Sequence, residues 1–315
     1  MASDGSCRTM LSQEDGKIRL SKSGAHFFDR RSGLNILFEE AIVPTRLCAR
    51  APRYVSFALT NACDLSCSYC YAPKQPSRLD GNRLVQWLME LDAEGGLGVG
   101  FGGGEPTLYP GFADICRRAA AQTRLAVTFT THSHSLTKRL ADELRGCVHF
   151  LRISVDGVGE TYERLRGRPF GDLRAQLNLV RSIALFGINL VVNAETIMQL
   201  DAVADFAVDQ GAAELLLLPE APSQGRPGAD ATIKRELEDW VAHTPRKIRL
   251  AISESGVTAG MPVAHPYPKE TPLDGHAHVD AFGIIKPNAF ARTGVRIEGS
   301  IMNAIERLRA EEGVT

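Results

Sequence analysis

Residues 60–72 read TNACDLSCSYCYA, and the cysteines in this run, Cys63, Cys67 and Cys70, have the spacing C-x3-C-x2-C with no fourth cysteine near them. A cubane iron–sulfur cluster has four irons. Three thiolates hold three of them and leave one iron open to a small-molecule ligand, whereas a closed structural site recruits a fourth protein ligand. The competing reading is a zinc site completed by Cys48 or a histidine. Such sites usually show two pairs of ligands, and no second pair follows here. The chain has seven cysteines. An odd number, three of them at metal spacing, reads as the reducing cytoplasm and not as a disulfide framework.

Outward from the cysteines the chain alternates between two periods. Hydrophobic pattern and turn residues predict strands over 54–60, 97–102, 125–131, 149–154, 189–196 and 214–219. They predict helices over 83–91, 111–121, 135–144, 173–186, 202–210 and about 229–243, with Asp201 capping the fifth. Six βα units in series mean a parallel sheet with helices outside, and six units in place of eight predict a barrel left partly open. The fold class is α/β. Residues 1–50 form an N-terminal extension, read as a hairpin of 17–20 and 34–40 joined through FFDRRSG. Residues 51–245 are the barrel. Residues 246–315 change character and read as a small α+β cap, with a strand-turn-strand over 277–285 and a helix over 300–310.

Composition narrows the class. The 315 residues are 44% hydrophobic, and 36 Lys+Arg stand against 37 Asp+Glu for a net charge of −1. This balance calls for neither a nucleic-acid nor a membrane partner. The first residues, MASDGSCRTMLSQEDGK, lack the apolar run of a signal peptide, and no stretch of eighteen apolar residues occurs.

In parallel barrels ligands sit at the carboxyl ends of the strands. The second strand ends in FGGGEP (101–106). Glycines let main chain approach a ligand's ammonium closely, and Glu105 supplies a charge-assisted acceptor; the bland reading is an ordinary glycine turn. Other strand ends bring Thr131 and His132, Ser154 and Asp156, Asn193, and Glu220 to the same rim. Thr131, His132 and Glu220 are the candidates for meeting substrate. His134, His265, His276 and His278 show no metal-ligand spacing. Cys7, Cys48, Cys116 and Cys147 form no second cluster motif.

The cysteine triplet followed by Gly102-Gly103-Gly104-Glu105 resembles the radical S-adenosylmethionine (SAM) superfamily. That resemblance implies a partial (β/α)6 TIM barrel, one [4Fe–4S] cluster on Cys63, Cys67 and Cys70, and SAM on the open iron. An electron from a donor such as flavodoxin or ferredoxin then cleaves SAM to methionine and a 5′-deoxyadenosyl radical, which takes hydrogen from the substrate. It places Tyr69 beside the adenine, Gly103, Gly104 and Glu105 at the SAM amino group, and Ser154 and Asp156 near its ribose and carboxylate. Asn193 is of the same kind. It makes the ERLRGRPFG stretch (163–171) a loop, with one of Arg164, Arg166 and Arg168 near the SAM carboxylate or all three solvated. The tail HAHVDAFGIIKPNAFARTGVRIEGSIMNAI (276–305) resembles the SPASM/twitch-like extension of the peptide-modifying branch. In that extension a hairpin ends in proline followed by cysteine; here Pro287 precedes Asn288, and no cysteine follows Cys147. One cluster is therefore expected, with a peptide or protein side chain as substrate and chemistry that is redox-neutral or returns its electron to the cluster. A small molecule (sugar, nucleotide or amino acid) is the alternative substrate, and a non-catalytic cluster-containing binding or sensing protein the alternative class. The N-terminal extension either docks a peptide or covers one end of the barrel.

Overall fold

Alternate residues of YVSFALT enter different surroundings. Val55, Phe57 and Leu59 are buried while Tyr54 and Ser56 are half-buried, as expected of a strand with one face against helices and one facing a lumen. The computed structural model describes residues 15–223, 225–244, 248–252, 267 and 269–313. Three strands come first: β1 (Gly16–Ser21), β2 (Gly24–Asp29) and β3 (Asn35–Phe38). The alternating region follows with β4 (Tyr54–Thr60), α1 (Gly81–Ala93), β5 (Gly98–Gly103), α2 (Phe112–Gln122), β6 (Ala126–Thr131), α3 (Lys138–Leu144) and β7 (Phe150–Ser154). It continues through α4 (Glu160–Arg166), α5 (Phe170–Ile183), β8 (Phe186–Val192), α6 (Leu200–Asp209), β9 (Glu214–Pro219), α7 (Ala231–His243) and β10 (Arg249–Ile252). Last come α8 (Pro272–Gly275), β11 (His276–Val279), β12 (Ile284–Lys286), β13 (Val295–Arg296) and α9 (Ile301–Glu311).

The main sheet has the order β10-β9-β8-β7-β6-β5-β4-β11-β12-β13 and does not close. Strands β4 to β10 and β11 run parallel; β12 and β13 are antiparallel additions. A row of register partners, Phe57, Phe101, Phe129 and Leu151, crosses the sheet on its helix-facing side. Phe112 of α2 meets Phe101 and Phe129 edge-on at 6.3 and 5.1 Å, so aromatic packing ties the second βα unit to its neighbours. Helix starts follow side-chain chemistry: Asp80, Thr137, Asp230 and Ser300 each accept a first-turn backbone N–H.

Several expectations shift. The sheet continues past residue 245: β10 adds a seventh strand beside β9, and β11 pairs with β4 on the other edge. The C-terminal residues thus extend both edges of the barrel sheet. Strand β8 starts at Phe186, three residues before the predicted start, because Phe186 and Gly187 already pair with Leu151 and Arg152 of β7. Asp201 does not cap α6; its carboxylate accepts the Trp240 indole N–H at 2.7 Å. The 163–171 stretch is mostly helical, since α4 runs to Arg166 and ends on left-handed Gly167. Cys7 and His265 lie outside the described residues.

The N-terminal extension is a three-stranded antiparallel sheet, not a two-stranded hairpin, because GAHFFD forms its middle strand. Its polarity is inverted. Lys17 and Arg19 point inward and are buried, while Ile18, at 66% exposure, and Phe38, at 53%, face outward. The reason lies in what the sheet covers. Lys17 Nζ donates to Asp92 O, Asp92 Oδ1 and Gly96 O at 2.6–2.7 Å. Arg19 donates to the carbonyls of Ala51, Gly95 and Asp274, and Arg30 to those of Ala120 and Thr123. Apart from those of Ala51 and Asp274, these carbonyls lie at and just beyond the carboxyl ends of α1 and α2, where cations are favoured. The carbonyls together sit just before the amino ends of β4, β5, β6 and β11, so the sheet closes the bottom of the barrel.

Candidate active site

Because β4 to β9 are parallel, their carboxyl ends share one rim, opposite the N-terminal sheet. The cysteine loop leaves β4 there. Asn61 N and Nδ2 bond Ser77 O and Gln75 O at 3.0 and 2.9 Å, closing the loop at its base. The glycine run of β5 is pressed against the start of this loop. Gly104 N donates to Thr60 O at 2.7 Å and Glu105 N to Ala62 O at 2.8 Å. A Cβ on Gly103 (φ +108°) would stand 2.4 Å from Thr60 O, and one on Gly104 2.1 Å from Ala62 O. These two glycines permit contact with the cysteine loop itself. Gly102, which pairs with Ala58 in the ladder, has open space on the side where a Cβ would stand.

Glu105 is buried, and its carboxylate already has protein donors. Oε1 accepts from Thr107 N and Oγ1 and from Thr131 Oγ1 at 3.1, 2.6 and 2.7 Å, and Oε2 accepts from His132 N at 3.0 Å. His132 Nδ1 accepts from His134 N. The imidazole proton is thereby assigned to Nε2, which points at Asp64 Oδ1 (2.8 Å) and Glu105 Oε2 (3.2 Å). Burial works against the Asp64 carboxylate, but His132 and Arg168 hold its pKa below the ordinary value. His132 therefore bridges the cysteine loop and the glycine turn.

Asp156 is the second hub. Its Oδ1 accepts from Val191 N at 2.8 Å, and its Oδ2 accepts from Tyr69 Oη at 2.6 Å and pairs with Arg166. Burial, then the Asp156 charge, pushes the Tyr69 phenol up, so it stays a donor. Arg166 also donates to Cys67 Sγ at 3.8 Å and lies 5.8 Å over the Tyr69 ring. Asn193 is consumed by its own turn, taking Glu195 N and Thr196 N on Oδ1 and giving Nδ2 to Glu220 Oε2 at 2.8 Å. Glu220 is also paired with Arg226. Ser154 is half-buried on the lumen side beside Asn189, its register partner.

All the candidate residues share this rim, but Glu105, Asp156, Asn193 and Glu220 act first as ties between strand ends. Arg166, Asp64 and Arg226 complete the ties; Asp64 and Arg226 were not singled out from the sequence, and Arg166 was named only as one of three arginines. The one available signal for Arg166 was its place in the run of three arginines. Among these only Arg166 turns inward; Arg164 and Arg168, 57% and 42% exposed, pair with Glu195 and Asp64.

The donor set suits a cluster with three protein ligands. Cys63 is pushed toward its thiol form by burial first, then by Glu105, Asp64 and Cys70, surroundings that favour a bound cation. A zinc site completed by Cys48 is excluded, because Cys48 lies beside β1 at the opposite end, next to Ala49, whose N bonds Leu20 O. The histidine alternative is His132: donor atoms of Cys63, Asp64 and His132 lie within 4.8 Å of one another. The His132 and Asp64 atoms, however, are hydrogen-bonded together. Beside Cys67 the Arg166 Nε is buried with no partner among the described residues, a donor available to something bound at the cysteines.

The model of the radical SAM superfamily matches residues 57–253. The chain belongs to the radical SAM superfamily. Among superfamily relatives, the mycofactocin maturase MftC of Mycobacterium tuberculosis (strain ATCC 25618 / H37Rv) is 28% identical over 234 residues, covering 67% of this chain and 59% of that protein. The sporulation killing factor maturation protein SkfB of Bacillus subtilis (strain 168) is 29% identical, covering 53% and 42%. The GTP 3′,8-cyclase of Chlorobaculum tepidum is 30% identical over 41% of this chain and 38% of that one. The chain spans about half the length of the curated relatives it matches. Streptococcus suis SuiB, in crystals with S-adenosylmethionine and with the precursor peptide SuiA, shares the fold at TM-scores of 0.71 and 0.70 and 13% identity, over 92% of this chain and 86–87% of that one.

Proposed function

We propose that this protein is a peptide maturase: a radical SAM enzyme that abstracts hydrogen from a side chain of a peptide or protein. Cys63, Cys67 and Cys70 would hold one [4Fe–4S] cluster with SAM on its open iron; once reduced by an external one-electron donor, the cluster would supply the electron that cleaves SAM to methionine and a 5′-deoxyadenosyl radical. The chain's own residues orient that chemistry. Gly102 leaves open space beside the ladder, Ser154 offers a hydroxyl on the lumen side, and the Tyr69 ring lies beside the third cysteine. Glu105 and Asp156 contribute chiefly by locking the loops that carry these groups. Thr131, His132 and Glu220 line the rim where substrate enters. A reducing cytoplasm and a one-electron donor such as flavodoxin or ferredoxin suit a thiolate-bound cluster.

The observation that carries the reading is a three-thiol loop on the rim where six strand ends meet, beside a buried Arg166 donor that has no partner among the described residues. The peptide class rests on the maturase relatives and on a fold shared with a protein crystallised with its precursor peptide. The test is anaerobic reconstitution followed by mass spectrometry of 5′-deoxyadenosine and of candidate peptides. A peptide with changed mass supports the proposal; 5′-deoxyadenosine release stimulated only by nucleotides or sugars replaces it with the small-molecule reading, which the cyclase relative favours. Absence of SAM cleavage in the reduced, cluster-loaded protein removes both.

A further inference from the structure

Arg166 is held more elaborately than anything in the proposed reaction requires. It is the last residue of α4, and left-handed Gly167 turns the chain away behind it. Its side chain is 11% exposed, paired through Nη2 with the buried Asp156. The same Asp156 oxygen accepts the Tyr69 hydroxyl at 2.6 Å, and the other is fixed by Val191 N. With Nη2 on that carboxylate, Nη1 donates to Cys67 Sγ, 3.8 Å away. Among the described residues Arg164 and Arg168 hydrogen-bond Glu195 and Asp64 and no cysteine sulfur, although both belong to the same short run.

A hydrogen bond to a ligating sulfur withdraws electron density from the thiolate and favours the reduced state of an iron–sulfur cluster. The positive charge of Arg166 is largely cancelled at a distance by Asp156. What remains is the short-range N–H directed at sulfur, and Arg is suited to this because one nitrogen can hold the carboxylate while the other reaches the sulfur. We propose that Arg166 is a positioning residue acting through Cys67, which raises the reduction potential of the cluster held by Cys63, Cys67 and Cys70. Asp156 and Tyr69 serve to fix its plane. This rests on the cluster reading above.

The test is a potentiometric titration of the reconstituted protein without SAM, followed by electron paramagnetic resonance of the reduced cluster, for wild type, Arg166→Gln, Arg166→Lys and the exposed control Arg164→Gln. The expected result is a more negative potential for Arg166→Gln, a smaller shift for Arg166→Lys and no shift for Arg164→Gln. An unmoved potential in Arg166→Gln at full iron and sulfide content overturns the proposal. If Arg166→Gln takes up no cluster, Arg166→Lys decides by the same criterion. If neither variant assembles one, Arg166 serves assembly and the tuning role is wrong. Wild type that binds no four-iron cluster would defeat the underlying reading, an outcome distinct from a cluster whose potential does not respond.

Discussion

Thr131 Oγ1 donates to Glu105 Oε1 across 2.7 Å, tying the end of β6 to the glycine turn that ends β5. The carboxylate at the end of the GGE run thereby becomes the knot between two strand ends, and its other oxygen takes the His132 N–H. Whatever binds beside the cysteines meets a surface that this knot holds in shape.

Glu105→Gln places an amide NH2 where the carboxylate accepts from donors on both oxygens, so one donor faces another. Losing one hydrogen bond to a charged group costs roughly 1.5–3 kcal/mol. A loss of unfolding free energy of about that size, read from urea unfolding, is expected together with weaker SAM binding. Weaker SAM binding at unchanged stability would show that Glu105 meets SAM directly.

One cluster per chain is expected, at about four irons and four sulfides. Iron and sulfide analysis after anaerobic reconstitution checks this, and Cys67→Ala should abolish the SAM-perturbed spectrum. Values near eight would require a second ligand set, which the described residues do not offer.

Lys17→Ala leaves Asp92 Oδ1 and the carbonyls of Asp92 and Gly96 without their shared donor. Breaking a buried pair in this way costs about 3 kcal/mol or more, read as a fall in unfolding midpoint. Removal of residues 1–45 should give insoluble protein by uncovering the barrel bottom. A soluble truncation with raised KM for peptide and intact uncoupled SAM cleavage would instead assign the N-terminal sheet to peptide docking.

Acid should destabilise the cluster-free protein before its carboxylates titrate. Burial lowers the pKa of His26 and of His278 to about 4. Between that value and the unfolded value of about 6.5 the unfolded chain binds more protons, so stability rises with pH. The contribution is complete above about pH 6.5 and is lost as pH falls toward 4, on the order of 3 kcal/mol for each fully buried imidazole. Urea unfolding at pH 7.5 and 5.0 checks the sign; equal stability at both would mean the imidazoles are hydrated.

The βα series was legible because its signals are local. Strand periods, turn glycines and the cysteine spacing are each written within a few residues. Strand β10 and the pairing of β11 with β4 were not, since a four-residue strand carries too little pattern to reveal its partner. The inversion of β1 was hidden for a related reason. Lys17-Ile18-Arg19-Leu20 alternates, but the alternation does not say which face is inward. Carbonyls at the ends of α1 and α2, distant in sequence, settle it in favour of the cations.

The sequence by itself determined the kind of site: three thiolates and an adjacent glycine turn on a parallel barrel, because ligand number and strand direction follow from residue type and order. The tertiary structure decided what each neighbouring side chain does. Arg164, Arg166 and Arg168 are alike in a row, yet only Arg166 reaches a cysteine. Its orientation comes from where α4 stops and from Asp156, which β7 delivers beside Tyr69 of a loop almost ninety residues earlier in the chain. Contacts of that separation depend on how strands stack in space, which no local pattern records.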